Sequence, residues 1–114
     1  MNLNKYHSKK TKVNGITFDS KAEAQRYCEL LLLIRHGDIT DLVLQPEYEL
    51  IPAFKKNGKR YRKTVYKADF SYIDVKNTTV IVEDVKGVKT PVYRLKKKLF
   101  EYRYPEYEIL EITK

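Results

Sequence analysis

A chain of 114 residues can build one hydrophobic core but not two, so a single domain is expected. With 42% hydrophobic and 33% charged residues it has a globular rather than a disordered composition, and no apolar run approaches the ~20 residues of a membrane span. The formal net charge of +8 favours a polyanionic partner, because Lys and Arg contacts to phosphate release condensed counterions, and the lone Cys28 excludes an intramolecular disulfide and a cysteine metal cluster.

Residues 1–12, carrying Lys5, Lys9, Lys10 and Lys12, read as a flexible basic arm. They lack the apolar core of a signal peptide, so a cytoplasmic location is expected. Val13-Asn-Gly-Ile16 reads as a tight hairpin, since Asn-Gly accepts the positive φ angles of a type I′ turn. Ser20 opens a helix predicted to run to about His36, with Gly37 as its stop. Ala24, Tyr27, Cys28, Leu31 and Ile34 recur at helical spacing and form its expected buried stripe, with Cys28 as a small core residue. Ile39 to Leu44 is a short apolar stretch closed by Gln45-Pro46, where the proline cannot donate to a ladder. Tyr48 to Ile51 alternates as a strand. Lys55 to Lys63 is a hairpin tip around Asn57-Gly58 with six basic residues. Such a run is commonly a solvated turn; in this basic chain it is the expected place of nucleic-acid contact, with Lys59 and Arg60 at its centre.

One long strand is predicted from Tyr61 to Asp74, then a turn over Val75 to Thr78 and a strand from Thr79 to Lys86. Thr90-Pro91 starts a second helix, with threonine as N-cap and proline at the first position. Val92, Leu95, Leu99 and Tyr102 form its expected apolar stripe, while Arg94, Lys97, Lys98 and Glu101 project to solvent. Lys96 flanks the stripe and is a candidate phosphate contact, with Lys89 just ahead of the helix. Pro105 ends the helix and Tyr107 to Ile112 closes as a strand. Residues 79–112 thus make a βαβ unit. The expected fold class is α+β or α/β, a mixed central β-sheet with a helix on each face.

Acidic residues stand in two of these strands where apolar ones are usual. With a period of two, Val80, Val82, Asp84 and Lys86 share one face of their strand, and Ile81, Glu83 and Val85 the other. In the preceding strand Tyr66, Ala68, Phe70 and Tyr72 share a face, opposite Lys67, Asp69 and Ser71. If the two strands pair, Asp69, Asp84 and Lys86 converge at one end of the sheet. Two carboxylates from adjacent strands make a hard oxygen site suited to Mg²⁺, which takes few protein ligands and keeps its waters. A lysine beside it can orient a water or stabilise developing charge. The plain alternative is two edge-strand acids with Lys86 salt-bridged to one of them. Glu23 has two readings: it completes a capping box with Ser20, or it faces the sheet.

Asp69 followed by Asp84-Val85-Lys86 resembles the signature of the PD-(D/E)XK nuclease superfamily. The segments Phe18 to Tyr27, Leu44 to Pro52, Ala68-Asp-Phe70, Val82 to Gly87 and Lys96 to Phe100 together resemble a family of small phage and prophage endonuclease-like proteins, some of which resolve Holliday junctions. The resemblance implies a restriction-endonuclease-like core and a Mg²⁺-dependent DNA endonuclease, with Mn²⁺ as a substitute ion. It implies Asp69 and Asp84 as metal ligands, the Val85 carbonyl as a further one, Lys86 positioning the water and Glu23 as a supporting acid. DNA, in branched or recombination-intermediate form, and a second copy of the chain are the implied partners, with no small-molecule cofactor. Ala68 stands where the superfamily has its proline. Two readings compete: a non-catalytic nucleic-acid-binding module with the same fold, and a subunit of a phage recombination complex.

Overall fold

The computed structural model describes residues 10–86 and 89–113. A short hairpin comes first, β1 (Thr11–Val13) and β2 (Ile16–Phe18), turning at Asn14 and Gly15 with φ of 52° and 80°. The arm expected over 1–12 does not include Thr11 and Lys12, which are in a strand. Thr11 and Lys12 pair with Phe18 and Thr17, and Lys10 meets Asp19 at 3.1 Å. Residues 1–9 lie outside the described part.

Helix α1 (Lys21–Arg35) is capped by Ser20, whose hydroxyl accepts the Glu23 N–H at 3.1 Å. Its buried residues are Glu23, Ala24, Tyr27 and Leu30. Of the predicted stripe, Ala24 and Tyr27 are buried and Leu31 packs against the core, but Cys28 is exposed and Ile34 is 38% exposed, while Leu30 is fully buried instead. Leu30 to Leu33 offer an apolar side chain in every direction, so periodicity leaves the facing side open. The sheet decides it, by receiving Glu23 and Arg26 from the same side of the helix.

Next comes a long antiparallel ribbon with a kink. β3 (Ile39–Leu44) pairs with β8 (Phe70–Asp74), and β4 (Glu47–Ile51) pairs with β7 (Thr64–Lys67). The two halves meet where Gln45 N–H bonds the Asp69 carbonyl at 2.9 Å and Ala68 N–H bonds the Pro46 carbonyl at 3.1 Å. The single strand predicted from Tyr61 to Asp74 is thus broken at Ala68-Asp69, and also at Arg62-Lys63, where β6 ends and β7 has not begun. The predicted common face of Tyr66, Ala68, Phe70 and Tyr72 is broken with it. Tyr66 and Ala68 pack with the second helix, Phe70 and Tyr72 with α1. Beyond the ribbon lies a tip of two strands, β5 (Phe54–Lys56) and β6 (Lys59–Tyr61), turning at Asn57 and Gly58 with positive φ.

β9 (Thr79–Lys86), α2 (Pro91–Arg103) and β10 (Glu108–Thr113) form the βαβ unit, with β10 parallel to β9 and strand order β10-β9-β8-β3. The result is a mixed α+β architecture with two helices and several small sheets among the described residues. Thr90 caps α2 as expected, accepting the Tyr93 N–H at 3.1 Å. Its buried side is Tyr93 and Phe100, with the predicted Leu99 packed against the same core, while Val92, Leu95 and Tyr102 are 63, 57 and 88% exposed. Aromatic rings bury more apolar area than Val or Leu and gain from packing on one another. Phe100 enters a cluster with Tyr48, Tyr66, Tyr104 and Tyr107, and this turns the rest of the predicted stripe outward. The end of α2 then clamps β4: Arg103 and Tyr104 donate to the Leu50 and Glu49 carbonyls, each at 2.9 Å. No helix among the described residues is long and apolar enough to cross a membrane.

Candidate active site

The kink in the ribbon opens a fork. β9 pairs with β8 over residues 79–83 and with β10 over residues 81–86. Asp84, Val85 and Lys86 therefore run past the end of β8 with one backbone edge open. Asp69, in the break itself, fills that edge: its N–H bonds the Glu83 carbonyl at 3.0 Å and its Oδ2 accepts the Val85 N–H at 2.7 Å. A strand residue sends its N–H and C=O to the same edge, so the Val85 carbonyl also faces the fork.

Asp84 lies beside it on β9, 1% exposed, with its Oδ2 hydrogen-bonded by the Tyr66 hydroxyl from β7. Glu23 reaches the same place from the first turn of α1, only 6% exposed. Its Oε2 is enclosed and receives no hydrogen bond. Burial above all, then the charges of Asp69 and Asp19, a carboxyl contact with Asp69 and the charge of Asp84 push Glu23 up to about 7. Of the two readings of Glu23, the structure keeps the first half of the capping box, the Ser20 contact, and turns the carboxyl toward the acids of the fork.

The sheet's alternation separates Glu83 from Asp84 as expected. Glu83 is fully buried on the α1 side, where Arg26 grips it with Nε–Oε1 of 2.8 Å and Nη2–Oε2 of 2.6 Å and the Tyr72 hydroxyl donates to Oε2. The Arg26–Glu83 bond, against the cost of burial, holds the guanidinium above its ordinary value. Burial first and then Glu83 raise the Tyr72 hydroxyl likewise. Glu83 is an anchor for α1 rather than a member of the site.

On the α2 side, Glu111 of β10 stands opposite Asp84 in the parallel register. It accepts from the Tyr93 hydroxyl at 2.6 Å and meets Lys89 at 2.9 Å and Lys97 at 3.5 Å. The Tyr93 bond first and Lys89 next hold it down at about 2. Lys97, expected in solvent, is thus tied to the sheet, and Lys89, a candidate phosphate contact, is ion-paired. Lys96 is half-buried on α2, and Lys59 and Arg60 stand exposed on β6, far along the ribbon from the fork. Lys86 contributes the last paired position of β9, opposite Thr113; its side chain lies outside the described residues, as does Gly87.

Sequence reasoning missed Tyr66, Tyr93, Glu111 and Arg26. Glu111 was reachable, because parallel pairing after a βαβ unit places one acid of Glu108-Ile-Leu-Glu111 beside β9. The tyrosines were not, since nothing local distinguishes two of ten.

Among the described residues no group of three or more His, Cys, Asp or Glu is arranged to hold a metal by itself. The donors at the fork are nonetheless all hard oxygens, and the enclosed Glu23 Oε2 has no proton donor to satisfy it. That set suits an ion that keeps most of its waters, as Mg²⁺ does, and not one that needs a protein-built cage. No curated protein and no solved structure matches the chain. One family model, described as protein of unknown function (DUF1064), matches residues 3–114, and the chain belongs to that family.

Proposed function

We propose that the protein is a Mg²⁺-dependent DNA endonuclease with a restriction-endonuclease-like core, its site at the fork between β8 and β9. The observation that carries the reading is the convergence of Glu23 from α1, Asp69 from the break and Asp84 from β9, with the Glu23 carboxyl buried and in contact with that of Asp69. Like charges are gathered in a buried place only where something offsets their repulsion, and structural pairing accounts for Glu83 but not for Glu23. Asp69, Asp84 and the Val85 carbonyl would hold the ion, which when bound polarises the phosphodiester and acidifies a water.

The chain's own groups do the positioning. The Val85 N–H fixes the Asp69 carboxylate, and the Tyr66 hydroxyl fixes that of Asp84. Glu23, titrating near neutrality, can hold or release a proton beside Asp69. Lys86, two residues on from Asp84, is assigned to orient the water or stabilise charge. Lys96 and Lys89 supply positive charge along α2, and the +8 net charge draws the polyanion in. The exposed Val92, Leu95 and Tyr102 offer an apolar surface on which a second copy could pack, giving two sites for paired incisions.

The test is cleavage of supercoiled plasmid and of a four-way junction with Mg²⁺, with Mn²⁺ and with EDTA. Wild type is expected to cut in either metal and not in EDTA. Asp84→Asn and Asp69→Asn are expected to lose at least about a hundredfold in rate, as when a group that stabilises developing charge is removed. Binding without cutting under all conditions would favour the non-catalytic module. Cutting that survives both chelation and Asp84→Asn would exclude the site altogether.

A further inference from the structure

The tip of the ribbon carries a pattern that folding alone does not explain. β5 and β6 pair in three positions: Phe54 with Tyr61, Lys55 with Arg60 and Lys56 with Lys59. Two of the three cross-strand pairs set cation directly against cation, an arrangement that destabilises a hairpin. No acid stands anywhere from residue 50 to residue 68 to offset them. Residues 51–63 are all exposed, and a two-stranded ribbon without a packed face is marginal in water. An anionic partner would relieve the like-charge pairs.

The remaining pair says what kind. Phe54 and Tyr61 stack with ring centroids 4.8 Å apart and planes 11° from parallel, yet remain 47 and 40% exposed. With a period of two they share their face with Lys56 and Lys59, and the Lys59 ammonium stands 5.2 Å from the Tyr61 ring. A surface hollow of about 350 Å³ beside the rings is lined by Ala53, Phe54 and Tyr61 and, from the alternate pair, by Lys55 and Arg60, so cations flank the rings on both sides of the ribbon. A regular duplex keeps its base faces covered and would engage only the cations. An unstacked base has a free π-face for the rings and a phosphate for the lysines, the combination by which single strands are held without regard to sequence.

We propose that the β5–β6 ribbon is a stacking site for unpaired nucleotides, with Phe54 and Tyr61 receiving a base and Lys56, Lys59 and Arg60 the flanking phosphates. The site is separate from the fork and does not rest on cleavage. It can be read in EDTA with the acids of the fork intact.

The experiment measures binding of the full chain, in EDTA, to a labelled blunt duplex and to the same duplex with an unpaired central segment. The Phe54→Leu/Tyr61→Leu variant keeps apolar bulk and removes both rings. It is expected to lose about tenfold or more on the interrupted duplex and less than about twofold on the blunt one. The Lys59→Gln/Arg60→Gln variant is expected to weaken both probes and to lower the salt slope by roughly 1.4–1.8. A 2-aminopurine in the unpaired segment is expected to change its fluorescence on binding wild type and not the ring variant. Equal loss of both probes from the ring variant, the result if the rings only stiffen the ribbon, overturns the proposal. So does no loss from either variant, or an unchanged 2-aminopurine signal with wild type.

Discussion

Glu23 sets the pH behaviour of the metal-free protein. A carboxyl raised from 4.5 to about 7 binds a proton in the folded state over a range where the unfolded chain has released it. Between those values the native state holds more protons, so stability is complete below about pH 4.5 and falls as pH rises through about 7. The size is on the order of 3 kcal/mol, from 1.36 kcal/mol for each unit of displacement. Glu23→Gln removes the titration. In EDTA its melting temperature is expected to stay level where that of wild type declines, and to exceed wild type above pH 7. A parallel decline in both proteins, followed by circular dichroism, would show that Glu23 is not the group responsible. The sequence offered Ser20 and Glu23 as a capping box, and the backbone half of that reading stands. The carboxyl's direction was illegible, because it depends on acids 46 and 61 positions further along the chain, counting from Glu23 to Asp69 and to Asp84.

At the scale of elements, the Arg26–Glu83 pair decides how α1 sits on the sheet. Glu83 is fully buried and the Arg26 side chain is 17% exposed, so removing Arg26 leaves the Glu83 charge enclosed. Arg26→Met is expected to destabilise by about 3–5 kcal/mol in urea denaturation, while the double variant Arg26→Met/Glu83→Leu recovers most of that loss. Additive losses in this cycle would mean that the pair contributes nothing as a pair. The helices show where periodicity fails. Both α1 and α2 were placed by their caps, Ser20 and Thr90, but the stripe was wrong in part for α1, at Cys28 and Ile34, and in most of its positions for α2. In α1 a run of leucines made every face acceptable. In α2 the aromatic residues Tyr93 and Phe100 outcompeted Val92 and Leu95 for the interior. The hairpins were legible for the opposite reason: Asn14-Gly15 and Asn57-Gly58 adopt positive φ from their own chemistry, whatever lies around them.

At the scale of the molecule, the fork and the ribbon give two separable handles on function. If the acids of the fork take up Mg²⁺, the ion binds the native state and not the unfolded chain, and stability rises by mass action. Above pH 7, where Glu23 has lost its proton beside Asp69, millimolar Mg²⁺ is expected to raise the melting temperature of wild type by about 5 °C or more. Asp69→Asn and Asp84→Asn are expected to show little or none of that gain. An equal rise in all three proteins would place the ion elsewhere.

The amino-acid order by itself determined what depends on neighbours along the chain. It set the type I′ turns, the helix starts, the acidic strands, the parallel βαβ unit and the cationic tip, since φ preferences, caps, alternation and charge act over a few residues. Only the tertiary structure decided the break at Ala68-Asp69. There β7 leaves β9 to pair with β4 under α2, and the edge it abandons is the one Asp69 fills. Which faces of α1 and α2 turn inward was decided the same way, by competition among distant side chains for one interior. The carboxylates of the fork are neighbours because strands pair across dozens of residues, a contact that no local preference encodes.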